Sequence, residues 1–327
     1  MRSGYLQHIV DAPVRKSMSL PNLFIVGAPK CGTTALYQYL RQHPEVFMSA
    51  VKEPHFFGSD LQSTKFIRDR SEYAALFSEA SGYQFVGEAS VYYLYSKHAA
   101  EEIHASNPSA SIIIMLRNPV DMVYSLHSQA VSSGNETIVD FAEALRAEAE
   151  RSRGRGIPDI ADFPQGLLYC DIARYAQQVN RYLDIFGPDS VKIILFDDFV
   201  RHPEQVFRET LEFVGVADTA FQPTFEKVNP NRRLRSVALE HFLKRRTTLR
   251  QALKRAAPTV YSTLYSMFQR MNAVLAKRNT MPAHLRAELC EQFTPEAQEL
   301  SRIIGHDLTA WLQADKSISD YQTAKGD

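Results

Sequence analysis

The chain has 327 residues, with 37 basic and 37 acidic side chains and a formal charge of zero at pH 7. That balance makes nucleic acid an unexpected partner. Three cysteines, Cys31, Cys170 and Cys290, cannot build a disulfide framework and lack zinc-ligand spacing.

In chain order, Leu23-Phe24-Ile25-Val26 is an apolar run that predicts a buried strand. Gly27-Ala28-Pro29-Lys30-Cys31-Gly32-Thr33-Thr34 follows, and a helical pattern comes after it. A strand, a glycine-bounded loop and a helix N-terminus together cradle a phosphate in backbone N–H groups. A nucleoside-triphosphate loop ends in Gly-Lys-Ser/Thr, so that the lysine reaches the β- and γ-phosphates and the hydroxyl holds magnesium. Here Thr33 stands where that lysine belongs, and Lys30 sits in mid-loop. The loop suits an anion other than a magnesium-bound β,γ-phosphate. An ordinary turn needs fewer special residues than these eight positions hold. Cys31, beside a helix N-terminus, is expected to have a lowered thiol pKa.

Val46-Phe47-Met48 is a short strand candidate, and Lys52-Glu53-Pro54-His55-Phe56-Phe57 follows it. A carboxylate and an imidazole two residues apart, held by proline and flanked by aromatics, form a general-base station. The plainer readings are a surface Lys52–Glu53 pair and a packed imidazole. A strand over Tyr83 to Val86 then leads into Gly87-Glu88-Ala89-Ser90-Val91-Tyr92-Tyr93. Glu88 offers a second carboxylate, while Tyr92 and Tyr93 each read as core.

Ser111 to Leu116 looks like a strand buried on both faces. It ends in Arg117-Asn118-Pro119, with Pro119 placed to open a helix reaching about Val131. Arg117 at the strand end and Ser125 on the helix can jointly grip a phosphate, one by its fork and one by a neutral hydrogen bond. The alternative is an arginine paired to a surface carboxylate and a solvent-facing serine. A long helix is predicted from Phe163, with a core stripe through Tyr169, Tyr175, Val179, Tyr182 and Phe186. The strand Val191 to Phe196 ends in Asp197-Asp198, where a nucleotide hydrolase would hold magnesium. His202-Pro203-Glu204 then starts a helix.

The basic loop 228–236 suits a lid over a doubly phosphorylated nucleotide. Residues 237–256 stay basic, which reads first as a solvated helix face and otherwise as an acceptor-recruiting or anionic-membrane surface. An amphipathic helix is expected over 258–278, and Trp311 near the end of the chain reads as a core anchor. Strands separated by helices give an α/β fold, a parallel sheet covered by helices on both faces. Its helical insertions fall at about 137–160 and 237–280, and the loop lies at the strands' carboxyl ends. One domain over 20–315 is expected, between mobile tails 1–19 and 316–327.

Pro29 to Thr34 resembles the 5′-phosphosulfate loop of sulfotransferases that use 3′-phosphoadenosine 5′-phosphosulfate (PAPS), the P-loop sulfotransferases. Arg117, Pro119 and Ser125 resemble that family's 3′-phosphate site. Glu53 to Phe57 is similar to a segment of the heparan sulfate sulfotransferases, and the ending from Phe293 to Trp311 is similar too. The resemblance, on the bacterial branch, implies Glu53 as the base that takes the acceptor proton, with His55 in support. It implies Lys30 on the bridging oxygen and the leaving 5′-phosphate. The donor would lie across Lys30, Cys31, Gly32, Thr33, Thr34, Arg117, Ser125, Arg235 and Ser236, with no metal required. The implied acceptor is a hydroxyl of a small molecule, lipid or glycan. Glycosaminoglycan-directed relatives carry a lysine where this chain has Ala89, which tilts the expectation away from a polysaccharide. With no membrane span in view, the expected location is cytoplasmic. Two rivals stay open: an ATP/magnesium small-molecule kinase, which Asp197 favours, and a non-catalytic nucleotide-binding protein.

Overall fold

The computed structural model describes residues 20–226, 232–234, 273–275 and 280–313. The expected tails, Arg235, Ser236 and the basic stretch 237–256 lie outside them. Five parallel strands form the central sheet: β1 (Leu23–Gly27), β2 (Val46–Met48), β3 (Phe85–Ala89), β4 (Ser111–Leu116) and β5 (Val191–Leu195). They lie in the order β2-β3-β1-β4-β5. β1 pairs on one side with β3 (Phe24 opposite Glu88) and on the other with β4 (Leu23 opposite Ser111). Every residue of β1 and β3 is buried, as a sheet covered on both faces requires.

The helices that cover it have ends legible in their residues. They are α1 (Thr33–Leu40), α2 (Arg70–Ala75), α3 (Ala99–Ser106), α4 (Pro119–Ser132), α5 (Phe141–Arg151), α6 (Tyr169–Ile172), α7 (Tyr175–Phe186), α8 (Phe196–Arg201), α9 (Pro203–Val214) and α10 (Ala283–Ile304). Asn118 caps α4 by accepting from the Val120 N–H at 2.9 Å, with Pro119 as the first helical residue. Its side-chain amide donates to the Trp311 carbonyl at 2.9 Å, tying the chain's end to the mouth of β4. Trp311 is buried in the same hydrophobic core as β1 and β4. Among the described residues no helix is long and apolar enough to cross a membrane.

Four expectations are corrected. The long helix from Phe163 is a 3-10 turn (Pro164–Leu167), then α6, then α7. The break after Ile172 is stable because its freed groups find partners. Glu296 on α10 accepts from the Ala176 N–H at 2.5 Å, and the Gln178 amide donates to the carbonyls of Asp171 and Ile172 at 3.3 and 3.2 Å. Phe196 leaves β5 to open α8, so Asp197 and Asp198 occupy a helix's first turn, where the backbone dipole favours carboxylates. β3 starts two residues later than Tyr83 and includes Glu88. Finally, Ala273–Leu275, inside the expected helix 258–278, forms a strand β7, antiparallel to β6 (Arg232–Leu234) in the basic loop.

The first insertion holds α5, capped by Asp140. A buried ion pair fastens it: both terminal guanidinium nitrogens of Arg151 donate to Glu136, at 2.6 and 2.8 Å. Tyr169 and the backbone N–H groups of Thr137 and Ile138 complete the carboxylate's bonds.

Candidate active site

The order of the strands brings three loops together. β1 leads through α1 toward β2 on one side of the sheet, while β4 leads toward β5 on the other. Adjacent strands whose connections diverge leave a crevice beyond their carboxyl ends. The loop 28–32 stands there, with the Ala28 N–H donating to the Met115 carbonyl at 2.6 Å. Gly32 caps α1 at φ 90°, and a Cβ there would sit 3.2 Å from the rings of Phe196 and Phe199. Only glycine takes that conformation and that space at low cost. Past it, Thr33 and Thr34 begin α1 with N–H groups that have no acceptor within the helix. Lys30 is held at φ 63°.

Arg117 extends from the end of β4 and stacks over Phe196, its guanidinium carbon 4.7 Å from the ring centroid. Ser125 is buried on α4, and β6 packs beside that helix. The positive charges of Arg117 and Lys30 both act on Cys31, so the two expected anion stations flank one residue. Cys31 contradicts the expected acidic thiol. Complete burial pushes it up to about 12, outweighing Arg117 and Lys30. The thiol instead donates to the Pro29 carbonyl at 3.3 Å. Its place in the loop is structural, and a nucleophilic thiolate has no support.

On the other side of β1, the Glu53 N–H donates to the carbonyl of Ala89, the last residue of β3, at 2.9 Å. Oε1 of Glu53 receives the Lys52 ammonium at 2.6 Å, and Oε2 receives the Nε2–H of His55 at 3.1 Å. Both plainer readings therefore hold: Glu53 is ion-paired, and His55 is packed and hydrogen-bonded. Burial would raise the Glu53 pKa, but the His55 hydrogen bond and the charges of Lys52 and His55 hold it at about 2. The carboxylate is ionised at neutral pH, and its side chain remains 35% exposed.

Glu53 and His55 have φ of 65° and 49°. With Lys30 they are the only non-glycine residues at positive φ among the described residues. Such conformations cost about 1–3 kcal/mol each and persist where surrounding structure imposes them.

A buried carboxylate imposes this one. Glu88, fully enclosed on β3, accepts from the hydroxyls of Tyr73 (2.7 Å), Ser90 (2.8 Å) and Tyr93 (3.0 Å). Two of those hydroxyls pass the support onward. Ser90 Oγ accepts from the His55 N–H at 3.1 Å, and Tyr93 from the Phe57 N–H at 3.2 Å. Arg68 fixes the continuation, donating to the carbonyls of Phe56, Phe57, Gly58 and Leu61. Glu88 was legible as a second carboxylate, but its organising role was not, nor was that of Arg68. Tyr93 is core as expected, while Tyr92 is half-buried.

A separate cavity of about 420 Å³ lies at the outer edge of the sheet, between β5, α7, α9 and the end of α10. None of the expected site residues lines it. Among the described residues no group of three His, Cys, Asp or Glu side chains comes together as a metal site would need.

The chain as a whole is similar to known proteins. The model of the sulfotransferase domain family matches residues 20–300. Carbohydrate sulfotransferase 15 of Mus musculus is 34% identical over 185 residues, covering 43% of this chain and 32% of that protein. Heparan sulfate glucosamine 3-O-sulfotransferase 6 of Homo sapiens is 29% identical over 196 residues, covering 60% and 52%. The chain thus matches about a third to a half of the length of these curated relatives. The crystal structure of a sulfotransferase from Alicyclobacillus acidocaldarius superposes with a TM-score of 0.68 at 33% identity, covering 90% of this chain and all of that one.

Proposed function

The chain belongs to the sulfotransferase domain family, and from that premise we propose that it transfers a sulfuryl group in line from PAPS to an acceptor hydroxyl. The observation that carries the reading is the strained trio. Lys30, Glu53 and His55 alone among the described non-glycine residues are held at positive φ. Lys30 stands on the loop that leaves β1, and Glu53 and His55 on the segment after β2 that bonds to the end of the neighbouring β3.

In this reading Lys30 and the backbone of Cys31, Gly32, Thr33 and Thr34 hold the 5′-phosphate, and Arg117 with Ser125 holds the 3′-phosphate. Arg235 and Ser236, which the family resemblance adds to the donor contacts, lie outside the described residues. The close fit of Gly32 against Phe196, and the stacking of Arg117 on the same ring, support one continuous anion cradle. The donor supplies an electrophilic sulfur on a phosphate leaving group. The chain's own residues handle charge and proton. Glu53 accepts the hydroxyl proton as the acceptor oxygen bonds to sulfur. His55 keeps Oε2 in place, and Lys30 meets the charge that grows on the departing phosphate. The acceptor is proposed as a hydroxyl of a small molecule, lipid or glycan, the relatives being named for carbohydrate and heparan sulfate.

Asp197, on which the kinase alternative rests, stands in the first turn of α8, directly after β5. Calorimetric titration with 3′-phosphoadenosine 5′-phosphate (PAP), beside ATP with magnesium, decides between them. Metal-independent binding of PAP is expected, and a preference for ATP with magnesium would overturn the reading. A protein that binds PAP but transfers no sulfuryl group to any hydroxyl acceptor would fit the non-catalytic alternative.

A further inference from the structure

Beside Glu53, four rings form a closed circuit. The His55 and Phe66 centroids are 4.4 Å apart, Phe66 and Phe163 5.4 Å, Phe163 and Tyr92 4.5 Å, and Tyr92 and His55 5.7 Å. His55 is buried, but Phe66, Tyr92 and Phe163 are each only half-buried. These rings come from separate segments that are strapped together. Lys65 pairs with Asp162 at 2.6 Å, the Gln165 amide donates to the Asp60 carbonyl at 3.1 Å, and the Ile67 N–H donates to the Pro54 carbonyl at 2.9 Å. The phenol of Tyr92 is raised above its ordinary pKa by burial and then by the charge of Glu53, which places it within electrostatic reach of that carboxylate.

The rings touch one another, so no cation fits between them as in an aromatic cage. They offer outer faces, which suit stacking against another ring. Two polar atoms at this cluster are buried without a partner: Nδ1 of His55 and Oε1 of Gln165. Nε2 of His55 is engaged with Glu53, so Nδ1 is the ring nitrogen left without a partner. The neighbouring cations are engaged: Lys52 with Glu53, Lys65 with Asp162, and Arg68 with four backbone carbonyls. A sulfated polymer would have to displace them.

We propose that Phe66, Tyr92 and Phe163 form the acceptor wall of the site, and that the acceptor it takes is an uncharged ring bearing a hydroxyl. This rests on the sulfuryl-transfer reading, and its test separates the two. The full chain, with PAP added, is titrated by saturation-transfer NMR with 4-nitrophenol, methyl β-glucoside and a sulfated heparan oligosaccharide. At least one uncharged ring is expected to bind more tightly than the sulfated oligosaccharide, and the two neutral probes distinguish an aryl from a sugar acceptor. Phe66→Leu and Phe163→Leu keep apolar volume but remove the ring. They should weaken that binding about five- to tenfold, the worth of an aromatic contact, while calorimetry shows PAP affinity unchanged. The wall is overturned if neither neutral ring binds, if the sulfated oligosaccharide binds more tightly, or if the leucine variants match the parent. Failure of PAP itself to bind would sink the donor reading, and the wall would still be judged by ring binding to the free chain.

Discussion

His55 donates its Nε2–H to Oε2 of Glu53 at 3.1 Å although both residues stand at positive φ. The two facts belong together. A relaxed backbone over Glu53-Pro54-His55 would be extended before the proline, which in a strand-like segment sends alternate side chains along one face with no need to converge. The left-handed kinks instead turn carboxylate and imidazole onto each other, and Lys52 occupies the remaining oxygen at 2.6 Å.

Glu53→Gln keeps this shape and removes the base. Turnover should fall by about two to four orders of magnitude, the usual worth of general-base catalysis, with PAP affinity nearly intact by calorimetry. The low pKa adds a pH expectation. Glu53 is ionised above about 2, so its own titration should give the parent no acidic limb between pH 5 and 8. Its contribution to stability is present above its ordinary value of 4.5 and is lost as pH falls through about 2. Retained turnover in the glutamine variant would remove Glu53 from the role.

Arg117→Ala tests the other end of the site. The guanidinium carbon lies over the Phe196 ring, 4.7 Å from its centroid, and a fork held in this way loses little freedom when it meets a phosphate. Its loss should weaken PAP binding by about 1.5–3 kcal/mol, as for a hydrogen bond to a charged group, leaving the folded state intact by circular dichroism. Unchanged affinity would move the 3′-phosphate site elsewhere.

What could be read from the residues was what lies close along the chain. The loop 27–34, Arg117-Asn118-Pro119 and Glu53-Pro54-His55 each carry their chemistry within a few positions. What escaped depends on long-range partners. Tyr73, which bonds Glu88, is on α2, and Glu296, which starts α7, is 120 residues from Ala176. Arg151 and Glu136 are 15 apart across a loop and a helix. Cys31 failed for a related reason. A helix N-terminus and two cations favour a thiolate, but the surrounding core that outweighs them comes from distant elements.

Arg151→Ala should be costly for folding. It would leave Glu136, now fully buried and doubly paired, as a carboxylate without its counter-ion. Breaking one side of such a pair costs about 3–5 kcal/mol. Urea denaturation is the measurement, and a loss under 1 kcal/mol would show that the insertion does not need the pair. Because neither residue is near the loop 27–34, whatever protein remains folded should bind PAP as the parent does.

Glu88→Gln separates support from chemistry. Burial raises the Glu88 pKa to about 7, against the opposing hydrogen bonds from Tyr73, Ser90 and Tyr93 and with some help from the charge of Glu53. The sign follows from proton linkage. Between its ordinary value of 4.5 and about 7 the folded protein holds a proton that the unfolded chain has released. This stabilisation is therefore complete below 4.5 and is lost as pH rises through about 7. The glutamine variant cannot ionise, so that slope should vanish from its stability profile, measured by urea denaturation across pH 4 to 8. It also cannot accept Ser90 Oγ–H at the nitrogen, so one of the two hydroxyl bonds through which Glu88 steadies His55 and Phe57 is lost, about 1 kcal/mol. If Glu88 acts by positioning, turnover falls while PAP affinity holds, and any acidic limb of the parent near pH 7 disappears. A variant with the parent's stability profile would show that Glu88 does not titrate in this range. One with the parent's turnover would show that the kinked turn at Glu53 and His55 stands without it.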